Sequence, residues 1–195
     1  RLQWLSKWLR RILKKIMQVL EKRLDYDRGI IFLANQDKTR LNFSAGFGYT
    51  DEQLKILSNA AFHLDRPESK GVFVVSFREQ NQFLINDIDE IREDLSPRSL
   101  EFAKKMGTKS FICCPIVREE ESLGILAVDN IKTKRPLVQS DINLLMGITP
   151  AIGISIHNAM LINMRERQFK SILQVLASSI DARDPLTAGH SEKVT

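Results

Sequence analysis

A chain of 195 residues, 43% hydrophobic and 27% charged, has the composition of one folded domain with helix to spare, which excludes both two full domains and disorder. The formal charge of +5 would suit a nucleic-acid partner if it were spread out, but residues 1–24 hold eight basic side chains against Glu21 alone and the rest is slightly acidic, so no nucleic-acid partner is expected. The only cysteines, Cys113 and Cys114, are adjacent, which excludes a disulfide framework and a four-cysteine zinc site.

Residues 2–24 read as an amphipathic helix. Leu2, Leu5, Leu9, Ile12, Ile16 and Val19 follow the three-four alternation of a coiled-coil seam, and Trp4, Trp8, Leu13, Met17, Leu20 and Leu24 widen the apolar face. The expected role is a dimer-interface helix with a solvated basic back. The alternative is a basic segment leaning on an anionic membrane with Trp4 and Trp8 at the interface. No continuous apolar run approaches the roughly 18 residues of a spanning helix, and no signal-peptide pattern is present, so a cytoplasmic location is expected. Arg1 at the start and Thr195 in mid-pattern suggest a piece of a longer protein.

The period then changes. Gly29 to Ala34 is a short apolar run, Asn35 to Lys38 a turn, and Leu41 to Ala45 an alternating return, together a hairpin. Residues 50–60 return to helical spacing, Ser69 to Arg78 predicts a short helix, and Phe83 to Ile85 a brief strand. Residues 97–106 predict a helix with Ser96 as cap and Pro97 in its first turn. Ser110 to Val117 and Leu123 to Asp129, joined by a charged turn, predict two central antiparallel strands. From Ser140 a long helix is expected, with Ile142, Leu145, Thr149, Ile152, Ile156 and Ala159 on one stripe and a bend at Pro150. A second apolar set follows, Phe169, Ile172, Leu173, Leu176 and Ile180, and the helix should stop before Asp184-Pro185. Matching terminal helices around a sheet imply a parallel homodimer whose connectors carry motion from end to end.

The run Ser110-Phe-Ile-Cys-Cys-Pro-Ile116, the charged hairpin, Leu123-Gly-Ile-Leu-Ala-Val-Asp-Asn130, and a helix opened by Ser140-Asp141 and ending Ile156-His-Asn-Ala159 resemble the second half of a GAF domain. The resemblance extends over residues 5–162. It implies an α+β fold: a central antiparallel sheet of about six strands with helices on both faces, flanked by long terminal amphipathic helices, and a small-molecule pocket on one face. The division expected is a helix over 1–24, a sensor domain over 25–162 with helix 5–24 packed on it, and a connector with the start of another domain over 163–195.

The tail, Ser179-Ile-Asp-Ala-Arg-Asp-Pro-Leu-Thr-Ala-Gly-His-Ser-Glu-Lys-Val194, resembles the opening of an HD-GYP domain, a metal-dependent phosphodiesterase class acting on cyclic di-GMP. That resemblance implies that His190 is a ligand to a divalent metal, iron or manganese, in the longer protein. Leu186 stands where some members carry a further glutamate. A catalytic metal needs at least three protein ligands, so these residues alone are expected to have no phosphodiesterase activity.

Pocket placement by the GAF resemblance selects Phe83, Asn86, Asp87, Phe111 and Cys113 as the binding set for a small-molecule effector. His63, after Phe62, is the candidate for a haem-ligating variant, whereas His157 reads as a surface or dimer-contact residue. Cys113 and Cys114 read as buried apolar fillers, with redox sensing or pigment attachment as alternatives. Of the pattern seen in cyclic-nucleotide-binding GAF domains, Asn130 and Asp141 survive, while Ile131, Leu137 and Ile142 replace its lysine, phenylalanine and glutamate. No phosphate-cradling glycine loop or nucleophile elbow is present. The competing functions are therefore a ligand-binding regulatory domain, a structural dimerisation relay, and a haem or redox sensor.

Overall fold

Strand alternation sets the architecture. β1 (Arg28–Ala34), β2 (Arg40–Phe47), β3 (Ala61–His63), β4 (Phe83–Ile85), β5 (Phe111–Arg118) and β6 (Glu121–Asp129) form one antiparallel sheet in the order β3-β2-β1-β6-β5-β4. These strands lie within residues 7–183, the part of the chain that the computed structural model describes. Successive side chains go to opposite faces. Ile31, Leu33, Ile112, Cys114 and Leu126 enter one core, and Ile30, Phe32, Phe111, Cys113 and Ile125 enter another. Both faces are therefore covered. On the first lie α1 (Lys7–Arg23) and the first half of α5 (Gln139–Arg183); on the second lie α2 (Asp51–Asn59), α3 (Val72–Glu79), α4 (Pro97–Met106) and a 3-10 stretch, Ile88–Asp94. This is the expected α+β arrangement.

Local chemistry sets the helix ends. Thr50 and Gln53 form a capping box at the start of α2, the Thr50 hydroxyl accepting from the Gln53 backbone N–H and the Gln53 side-chain Oε1 accepting from the Thr50 N–H. Ser96 caps α4, Pro97 begins it, and Gly107 closes it in the left-handed region at φ 66°. α3 begins at Val72, later than the spacing predicts, because the Arg78 guanidinium holds the preceding loop open by donating to the carbonyls of Leu64, Arg66 and Ser69. The three-residue β3 and the 3-10 stretch were not expected; both are too short to carry a periodic signal.

The terminal helices bury apolar stripes on the chain's own sheet. Leu9, Leu13, Met17 and Leu20 of α1 are buried on the chain's own sheet, Ile12 and Ile16 pack at its margin, and Val19 is exposed. In α5, Ile142, Leu145, Thr149, Ile152, Ile156 and Ala159 are likewise buried within the subunit. Three-four spacing shows that a helix has an apolar face, not whose surface covers it. At Gly153 the close fit is plain: a Cβ there would stand 2.8 Å from the Val117 carbonyl oxygen. α5 runs on as one helix through Pro150.

α5 also qualifies by length and mean hydropathy as a candidate membrane span, although no continuous apolar run was found in the sequence. Its first half is committed to the sheet, and Arg165, Glu166, Arg167 and Lys170 interrupt its exposed half. The Trp8 indole N–H donates to Glu166 Oε1 at 2.9 Å and ties α1 to α5. Trp4 lies outside the described residues.

Candidate functional site

Phenylalanine supplies ten of the fourteen aromatic side chains, and six of the ten meet on the second face of the sheet. Phe32, Phe43, Phe62, Phe73, Phe102 and Phe111 form a chain of mostly edge-to-face ring contacts, with centroids 5.2 Å apart for Phe62–Phe73 and Phe62–Phe102. Rigid rings meeting edge to face cannot close every gap. Between Phe62, Phe73, Phe102 and Phe111, over a floor of Ile30 and Ala127, lies a cavity of about 70 Å³. That is room for a few waters, well below the roughly 300 Å³ at which drug-sized sites begin. A larger occupant would have to displace α3, α4 or the 3-10 stretch. Its polar wall comes from Tyr49, Ser99, Thr108 and Asp129.

Strand register builds the polar end. β1 and β6 place Arg28 directly opposite Asp129, and both side chains are almost wholly buried. Arg28 Nε donates to Asp129 Oδ1 at 2.8 Å, one terminal nitrogen to the Met106 carbonyl at 2.7 Å, and the other to Asp129 Oδ2 and to Thr108 Oγ1. Burial alone would lower the pKa of Arg28, but the hydrogen bonds and charge of Asp129 outweigh it and raise it. The Tyr49 ring lies 4.8 Å from the Arg28 guanidinium carbon. Burial, reinforced by the Asp129 charge, pushes the Tyr49 phenol up, so it stays protonated and can donate to an occupant. Gln53 Nε2 donates to the same Met106 carbonyl, joining α2 and α4 to this pair.

A second polar cluster stands where α5 begins. Asp141 accepts from both terminal nitrogens of Arg135 at 3.2 Å, from the Val138 N–H at 2.9 Å and from the Tyr26 hydroxyl at 3.2 Å. Arg135 lies over the Tyr26 ring, 5.4 Å from its centroid. Its Nε is the buried side-chain polar atom left without a partner among the described residues. Asn130 accepts from the Asp27 N–H and donates to the Arg135 carbonyl. The segment leaving the cavity at Asp129 is thereby pinned to the start of α5.

The geometry resembles known structures. The chain is similar to a methyl-accepting chemotaxis protein (residues 122 to 287) at 26% identity, with a TM-score of 0.66, covering 79% of this chain and 92% of that one. A GAF domain/HD domain protein from Geobacter sulfurreducens matches at 12% identity and TM-score 0.67, over 83% and 99% of the two chains. The GAF domain of a phosphoenolpyruvate-protein phosphotransferase from Acinetobacter matches at 17% and 0.60, over 81% and 87%. These last two show a shared fold. No curated protein matches. The GAF domain family profile matches residues 9–156. The chain belongs to the GAF domain family.

GAF domains are sensor and signalling modules of bacterial proteins. In this GAF domain the five residues selected from sequence fall in different places. Phe111 stands in the cavity wall. Cys113 is fully buried in the same core, and Phe83 faces it across the β4–β5 pairing at the edge of that core. Asn86 lines a shallow recess on the far side of Asp129. Asp87 caps the 3-10 stretch, accepting from the Asp89 N–H at 2.9 Å. His63 lies 3.5 Å from Asp65 and faces an open recess beside the cavity. Asn130 and Asp141, the survivors of the cyclic-nucleotide pattern, hold the GAF domain's own backbone and helix start. His190 lies outside the described residues.

Tyr49, Phe62, Phe73, Phe102 and Asp129 were not foreseen as wall residues. The ten phenylalanines were the available signal, but only the fold shows that elements far apart in sequence bring them together.

Proposed function

We propose that this GAF domain senses a small molecule and passes the signal through paired α5 helices to an HD-GYP phosphodiesterase domain acting on cyclic di-GMP. The observation that carries the reading is the division of the two faces. One encloses a ring-lined cavity with polar groups in its wall. The other supports a helix that runs beyond the sheet with an uncovered apolar stripe, Ile162, Phe169, Leu173, Leu176 and Ile180, at the spacing of a two-stranded coiled coil. The segment from Asp129 to Asp141 joins the two. Occupation of the cavity by an effector moves this segment and changes the relation between the two α5 helices. Such coupling requires the effector to bind one dimer arrangement more tightly than another.

The HD-GYP output is supported by the tail from Ser179 to Val194 and by the likeness to a GAF domain/HD domain protein. In that reading His190 contributes one ligand to an iron or manganese centre completed by residues after Thr195, so the 195-residue chain should leave cyclic di-GMP intact. The deciding experiment is sedimentation equilibrium of the 195-residue chain beside a Leu173→Glu/Leu176→Glu variant. A dimer that becomes monomeric in the variant, with helix content by circular dichroism otherwise retained, is expected. A monomeric parent chain at micromolar concentration would remove the relay.

A further inference from the structure

The cavity has a second compartment. Phe62, Gly71, Ser99 and Phe102 line the ring-walled cavity and also an open recess of about 580 Å³ beside it, so these four residues form the partition between them. It is thin at Gly71, where a Cβ would come within 3.1 Å of Ser99 Oγ. The recess differs in character from the cavity. Arg66, Lys70 and Arg98 line it, all exposed and none with a carboxylate partner among the described residues; Arg98 makes only a 3.5 Å contact to the Ala61 carbonyl.

The acidic residues of the recess offset this only in part. Glu101 is taken by Lys105 at 2.7 Å, which leaves Glu68 as the acidic lining residue that faces the three cations. The loop that carries Arg66 and Lys70 is held in place by Arg78 through three of its carbonyls. The N-cap residues of α3 and α4, Gly71 and Ser96, both line the recess, so two helix ends with positive partial charge add to the same field.

We infer that the effector of this domain is an amphiphilic anion, with an apolar ring or short chain in the phenylalanine cavity and a carboxylate or phosphate head across the Gly71–Ser99 partition against Arg66, Lys70 and Arg98. The inference rests on the small-molecule reading of the cavity and adds the chemical class. An apolar body suits the ring walls, where a charge would lack solvation, and being larger than the cavity of about 70 Å³ it seats by displacing α3, α4 or the 3-10 stretch. The head needs cations that can hold a fork of oxygens, and two of the three are arginines.

The test is isothermal calorimetry on the 195-residue chain with four probes: toluene, 3-phenylpropionamide, 3-phenylpropionate and phenyl phosphate. The expected result is at least tenfold tighter binding of one or both anions than of the neutral amide. That preference should vanish in an Arg66→Gln/Lys70→Gln/Arg98→Gln variant, which alters only exposed side chains and should still bind toluene. The stronger of the two anions separates a carboxylate head from a phosphate head. Equal binding of amide and anions, or a preference that survives in the variant, overturns the anionic class and leaves the cavity as a ligand site. No binding of any probe, toluene included, overturns both.

Discussion

Arg28 is a buried cation with every nearby acceptor in use, and its worth depends on Asp129 remaining opposite it. Arg28→Leu strands a buried carboxylate and leaves the Met106 carbonyl with Gln53 in place of two side-chain donors, and should cost about 3–5 kcal/mol by urea unfolding. Arg28→Leu/Asp129→Leu removes both charges and should recover a substantial part of that loss. The cysteines behave oppositely, as groups kept from ionising. Burial pushes the Cys114 thiol up to about 12 and the fully buried Cys113 thiol further. Neither should react with iodoacetamide in the native protein in mildly alkaline buffer, and both should react after unfolding, as read by mass spectrometry. Native labelling of Cys113 would revive a redox role. Asp27 carries a pH signature. Slight desolvation raises its pKa, but the N–H groups of Thr133 and Lys132, each at 2.7 Å, and the Thr133 hydroxyl outweigh it and hold the carboxyl below its ordinary value of 3.8. A lowered folded-state pKa means that the stabilisation is present at neutral pH and is lost as pH falls below about 4. Asp27→Asn should therefore be less stable than the parent by about 1 kcal/mol at neutral pH, with the gap closing in acid; a gap unchanged by acid would be the contrary result.

Among the elements, α4 and α5 show two ways in which a helix is placed. α4 is defined by its ends, Ser96, Pro97 and Gly107, so Ser96→Ala should cost roughly 1 kcal/mol and also loosen one wall of the cavity. α5 is placed by contact. Gly153→Ala would drive a methyl into the Val117 carbonyl, where backbone cannot yield as a flexible side chain can. A loss of about 1–3 kcal/mol in chemical denaturation is expected, opposite in sign to an alanine-for-glycine change in an open helix, where propensity favours alanine by about 1 kcal/mol. Stabilisation by that substitution would show that α5 does not lie so close to β5.

At the scale of the molecule, the sheet separates two tasks. One face holds rings, a cavity and its polar end; the other holds α1 and the root of α5. The route between them is short because Asp129, which ends β6, belongs to the cavity wall, and Asp141, near the start of α5, is clamped by Arg135 and Tyr26. Asp141→Asn weakens that clamp while leaving the cavity walls intact. It should therefore keep probe binding by calorimetry and abolish any change in dimer geometry on binding, read as the distance between spin labels at Val175 of the two α5 helices. Retention of the probe-induced change in that variant would move the coupling elsewhere.

The sequence by itself determined the elements with strong local signals: the β1–β2 and β5–β6 hairpins from apolar runs and turn residues, α4 from its caps, and α5 from the helical spacing that starts near Ser140. It also placed Cys113 and Cys114 on opposite faces, because a strand has a period of two. Only the tertiary structure decided which surface each apolar stripe meets. Leu9 belongs to the three-four stripe of α1 and Leu13, Met17 and Leu20 to the stripe that widens it, and the sheet covers members of both. The site depended on packing even more. Tyr49, Phe62, Phe73, Phe102 and Asp129 come from five separate segments, and residues far apart along the chain share no periodicity that could announce a common cavity.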